Sequence, residues 1–129
     1  MLPTDCSAPL HPAALHGLTL FNQGEYFEAH EALESAWRAE PGPIRDLYQG
    51  ILQVAVVYLH IQRGNYQGAS KVAARCLPKL ESSPANCRGV AIDQLLSDFH
   101  IVLEALHRLG PQHLASLDQR LFKNIHYER

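Results

Sequence analysis

At 129 residues the chain is sized for one domain and can bury about two-thirds of the surface its unfolded form exposes; 47% of its residues are apolar and 19% charged, an ordinary globular balance. A formal net charge of −2 gives no electrostatic reason to expect nucleic acid or an anionic membrane as partner, and the longest apolar run, Ile51 to Ile61, is interrupted by Gln53 and His60, short of the roughly 20 residues a bilayer span needs. Met1 to Cys6 lack the basic segment and apolar core of a secretory leader, so the reading is a soluble, cytoplasmic protein whose Cys6, Cys76 and Cys87 are free, buried thiols.

Proline and glycine divide the chain into about five helical segments, with no convincing strand. The first covers about 11–21, with Pro12 suited to its opening turn. Gly24 separates it from the second, about 25–39, where Glu25 and Glu28 complement the helix N-terminus and Pro41, Gly42 and Pro43 end it. The third, about 44–62, is the most apolar, and Gly64 supplies a left-handed stop. Asn65 caps the fourth, which Pro78 is expected to terminate near Leu77. After a loop at 82–86 the fifth helix, about 92–109, carries Ile92, Leu95, Leu96, Phe99, Leu103 and Leu106 at helical spacing and closes at Gly110-Pro111. The tail at 112–129 is expected to be loose apart from a short helix around 117–122. The predicted fold class is all-α: a compact antiparallel bundle of about five helices in a single domain, its motif-bearing part at about 11–109. One echo stands out. Gly24-Glu25-Tyr26-Phe27-Glu28-Ala29 resembles Gly64-Asn65-Tyr66-Gln67-Gly68-Ala69 forty residues on. That period is not the 34 of tetratricopeptide repeats, and two copies make a bundle rather than a solenoid.

The chemistry-bearing residues fall on the second and third helices. At 100° per residue Tyr26, His30, Leu33 and Trp37 share the inward face of the second, with Glu34 one turn beyond His30 and Glu31 alongside. On the third, Asp46, Gln49, Gln53 and His60 form a polar stripe on an otherwise apolar helix. Buried unpaired, such groups would cost about 1–3 kcal/mol each. A shared polar cluster of His30, Glu34, Gln49, Gln53 and His60 is therefore expected between the two helices, with Glu31 at its border. Three readings compete for it. The first is a divalent metal site with His30, Glu34 and His60 as ligands, since His30-Glu31-Ala32-Leu33-Glu34 resembles the zinc-hydrolase motif H-E-x-x-H with its second His replaced; Glu31 would then stand in the general-base position. The second is a small-molecule pocket of amides and imidazoles among apolar walls. The third is a satisfied network that fixes the helix pairing, leaving the helical hairpins as a protein-interaction module. Glu28, Trp37, Gly50 and Asn65 read as structural: Glu28 solvated or paired with a neighbouring helix, Trp37 in the core, Gly50 at a close contact assigned to Trp37, Asn65 as a cap. No glycine-rich phosphate loop, nucleophile elbow or Cys-x-x-Cys pair is present, and neither a reaction nor a substrate is specified. Leftover helical faces are compatible with a homodimer.

The second-helix run, followed by Tyr48-Gln49-Gly50-Ile51-Leu52-Gln53-Val54-Ala55 and by His60 with Gly64-Asn65-Tyr66-Gln67-Gly68-Ala69, resembles the domain-of-unknown-function 309 family. The resemblance covers about 21–80 and implies a small helical bundle without an established activity. It carries over Glu28, His30, Glu31, Glu34, Trp37, Gln49, Gly50, Gln53, His60 and Asn65.

Overall fold

The structure is a computed structural model that describes residues 6–128. Residues 1–5, on which the leader reading chiefly rests, and Arg129 lie outside the described residues. Five α-helices follow in order: α1 (Pro12–Asn22), α2 (Tyr26–Ala39), α3 (Ile44–Gln62), α4 (Tyr66–Glu81) and α5 (Ile92–His113), with a two-stranded hairpin, β1 (Asn86–Cys87) and β2 (Val90–Ala91), between α4 and α5. Consecutive helices pack antiparallel, and α3 lies between α2 and α4. That position explains its composition. Eleven of its residues are buried, from Ile44 and Leu47 to Tyr58 and Ile61, and burial of apolar surface is the main source of stability.

The two Gly-Xaa-Tyr segments build the same corner twice. Gly24 and Gly64 take φ of 80° and 72°, values open to glycine at little cost. Gly24 N–H donates to the Phe21 carbonyl and Glu25 N–H to that of Leu20; Gly64 and Asn65 repeat the pattern onto Ile61 and His60. These are Schellman-type stops, and each is followed at once by the next helix. The forty-residue echo therefore encodes two equivalent helix–turn–helix corners.

Three expectations are corrected. Pro78 does not end α4, which runs on to Glu81; the Ala74 carbonyl that loses its partner belongs to an exposed residue and can be hydrated. The segment at 86–91 is a hairpin whose turn places both Arg88 (φ 50°) and Gly89 (φ 82°) in the left-handed region, as a two-residue type I′ loop requires. The cysteines are not all free: Cys6 is bonded to Cys87, 81 residues away, and only Cys76 is a buried free thiol among the described residues.

The C-terminal segment is also not loose chain. α5 breaks at Gly110 (φ 67°, ψ −176°), and the chain turns back as a strap along the bundle. Asn22 holds it from both sides of the Ile125 peptide, donating Nδ2–H to the carbonyl at 2.9 Å and accepting N–H at 2.8 Å. Phe122 stacks flat on Tyr58 at 4.2 Å between centroids and meets Tyr26 edge-on. Tyr127 pairs with Val90, adding a rung to the hairpin. No helix among the described residues is long and apolar enough to cross a membrane.

Candidate functional site

α2 buries Tyr26, Ala29, Leu33 and Ala36. The small side chains at 29 and 36 draw the neighbouring helix close: a Cβ on Gly17 of α1 would lie 2.7 Å from Leu33 Cγ and 3.3 Å from the Ala29 carbonyl oxygen. The inward face is thereby rotated toward Ala29 and Ala36. His30 and Trp37, expected on it, stand half-buried at its flank, and Glu31 is exposed.

His30, Glu34 and Arg38 then form a chain at i, i+4 spacing. His30 Nε2 lies 3.3 Å from one Glu34 carboxylate oxygen, and Arg38 Nη2 engages the other. With Phe27, Glu31 and Ser35 these residues line an open depression of about 290 Å³. Every wall of it belongs to α2, so it lacks the facing surface that encloses a bound small molecule. Glu28 is exposed, as read.

His60 occupies a different environment. Asn65 Oδ1 accepts the Gly68 N–H at 2.9 Å, capping α4, which turns Asn65 Nδ2 toward His60 Nδ1 at 3.2 Å. An amide nitrogen only donates, so Nδ1 accepts and the neutral ring carries its proton on Nε2. The residue at 68 is glycine because a Cβ there would sit 2.6 Å from Asn65 Nδ2 and 2.8 Å from the His60 ring.

No hydrogen bond or ion pair among the described residues joins His30 or Glu34 to Gln49, Gln53 or His60. Likewise, no three His, Cys, Asp or Glu side chains among them form a group that could hold a metal ion. Instead the α3 residues form a stripe along that helix, with Asp46 exposed and Gln49, Gln53 and His60 half-buried. Trp37, Arg45, Asp46 and Gln49 line one end with Gly42 and Pro43. The Arg45 guanidinium lies over the indole at 4.9 Å from its centroid and donates Nε–H to the Trp37 carbonyl. His60 and Gly68 mark the other end. Between them sits Gln53, whose Oε1 is buried and has no hydrogen-bond partner in the protein. Gly50 does make a close contact, but with α4 rather than Trp37: its Cβ would meet Leu80 Cδ2 at 3.0 Å. Cys76 packs beside it and donates Sγ–H to the Gly50 carbonyl.

A second polar network escaped the sequence reading. Arg88 donates from Nη1 to Glu40 Oε2 at 3.2 Å and to the Tyr48 hydroxyl at 3.0 Å, and that hydroxyl also accepts the His11 N–H. It joins four segments distant in sequence, and no local spacing announces it.

Residues 14–72 match a family model described as "Domain of unknown function (DUF309)". An uncharacterized protein of Aquifex aeolicus (strain VF5) is 27% identical over 84 residues, 64% of this chain and 25% of that protein. The uncharacterized protein YpuF of Bacillus subtilis (strain 168) is 33% identical over 70 residues, 54% of this chain and 40% of its own length. The chain thus spans well under half of either relative. The matched stretch holds α1, α2, α3 and the start of α4, and with them each of the sequence-read site residues, while the hairpin, α5, the strap and both bonded cysteines fall outside it. Over these helices the chain is similar to the DUF309 family.

Proposed function

We propose that the chain is a helical-hairpin interaction module that takes an extended peptide segment of a partner protein along the polar stripe of α3. The observation that carries this is the buried, unpartnered Oε1 of Gln53. A buried acceptor without a donor costs about 1–3 kcal/mol, and a turn of the carboxamide that offered Oε1 to a ligand N–H above the stripe would remove that cost. The layout supports a chain rather than a point ligand. From Gln49 to His60 the stripe runs about 16 Å at 1.5 Å per residue, the reach of about five extended residues. Carboxamides suit a peptide because each both donates and accepts, as a backbone amide does.

The metal reading names His30, Glu34 and His60; with His60 apart, His30 and Glu34 give two ligands at i, i+4 on an open face, one short of the usual catalytic zinc set. A peptide-display library panned against the full chain, with titrations followed by the fluorescence of the single tryptophan, Trp37, tests the proposal. Selected peptides should bind about tenfold more weakly to Gln53→Leu, the cost of one hydrogen bond. Peptides that bind the wild type and Gln53→Leu equally, or a chain that selects none, would overturn it. Stoichiometric zinc uptake by calorimetry, abolished in His30→Ala, would favour the metal reading instead.

A further inference from the structure

We propose that the Cys6–Cys87 bond is a redox latch opened by a dithiol reductant, and that its state is passed along a chain of polar contacts to the α2–α3 loop beside Trp37. The two sulfurs differ in access. Cys87 is 1% exposed, whereas Cys6 is partly exposed and lines a cavity of about 360 Å³ walled by the N-terminal segment, Arg88, Gly89 and Glu128. A reductant thiolate therefore attacks Sγ of Cys6. The S–S bond breaks and Cys87 leaves as thiolate. The second thiol of the reductant then attacks the mixed disulfide and releases Cys6. Two electrons pass from the reductant, which ends as its own disulfide, and its two thiol protons end on Cys6 and Cys87.

The relay begins at the next residue. Arg88 is the non-glycine residue held at positive φ among the described residues (50°), and its N–H donates to the Cys6 carbonyl at 2.6 Å. A residue kept in that sparsely populated region persists because its surroundings over-determine it, and the bond to Cys6 is part of those surroundings. The Arg88 side chain holds Glu40 Oε2 and the Tyr48 hydroxyl. Glu40 in turn accepts the Gly42 N–H on Oε1 at 3.2 Å and donates its own N–H to the Trp37 carbonyl at 3.4 Å. In a reducing compartment a disulfide is usually transient and redox-sensing rather than structural. This inference stands apart from the peptide reading, because its test needs no peptide.

The experiment equilibrates the full chain with and without millimolar dithiothreitol under native conditions. Iodoacetamide labelling with intact mass counts thiols, circular dichroism follows helicity, and Trp37 emission follows the relay. The reduced protein should gain two adducts, keep its helices and shift its Trp37 emission to the red. A Cys6→Ser/Cys87→Ser variant should show the reduced spectrum in either buffer. Glu40→Gln, which leaves the latch in place and carries the test if the double variant fails to fold, should lose the emission shift while still gaining two adducts. A latch that stays closed in dithiothreitol, or one that opens with no change at Trp37, would overturn the proposal.

Discussion

His60 and Gln53 lie two turns apart on α3 and meet different fates. His60 is fixed by Asn65, whose own cap on Gly68 leaves no second orientation, while the Gln53 acceptor is buried without a partner. Cys76 is a third case. Burial pushes its thiol up to about 12, with Lys79 pulling slightly the other way, and its Sγ–H is engaged by the Gly50 carbonyl. A group that holds its proton more tightly folded than unfolded contributes stability that is complete below its unfolded value and lost as pH rises toward the folded one. The urea midpoint should therefore be level below pH 9 and fall between about 9 and 12. Tyr58, raised mainly by burial, extends that fall. Cys76→Ala should move the onset up to about pH 10, where the tyrosines titrate; an unchanged onset would contradict this account. Asn65 was legible as a cap because capping depends on residues three apart. The partner of Gly50 was not, since sequence shows that a close approach exists but not which helix makes it.

At the scale of elements, the close packing of α3 on α4 makes a specific demand on Gly50. Alanine there gains about 1 kcal/mol of helix propensity. Its Cβ, however, would meet Leu80, which is 1% exposed and cannot move aside, and the β-carbon of Lys79 at 3.4 Å; overpacking typically costs 1–3 kcal/mol. Gly50→Ala should lose about 1 kcal/mol net, read from urea denaturation with an unchanged m-value. Helix limits at Gly24 and Gly64 were readable because a left-handed stop has a local signature. Pro78 misled because one proline removes one hydrogen bond, and an exposed carbonyl tolerates the loss. The hairpin gave no signal at all. Two-residue strands are too short to show alternation, and Arg88-Gly89 is not among the usual turn pairs.

For the whole molecule, the strap closes what the helices leave open. Phe122 lies on Tyr58 and Tyr26, both of which pack on Phe21, so Phe122→Ala should cost about 2 kcal/mol and lower the thermal midpoint. A thermal midpoint within error of wild type would show that the strap merely rests there. The fold class was legible because helical periodicity is local. The strap and the Cys6–Cys87 pairing were not, because both depend on where the finished bundle brings distant segments. Their meeting point has a further effect. Cys6 contacts Arg88 through its carbonyl, and Glu128 donates its N–H to the neighbouring Gly89 at 2.9 Å, so the first and last described residues come together on one turn. A unit with adjoining ends can be spliced into a host loop without prying that loop apart.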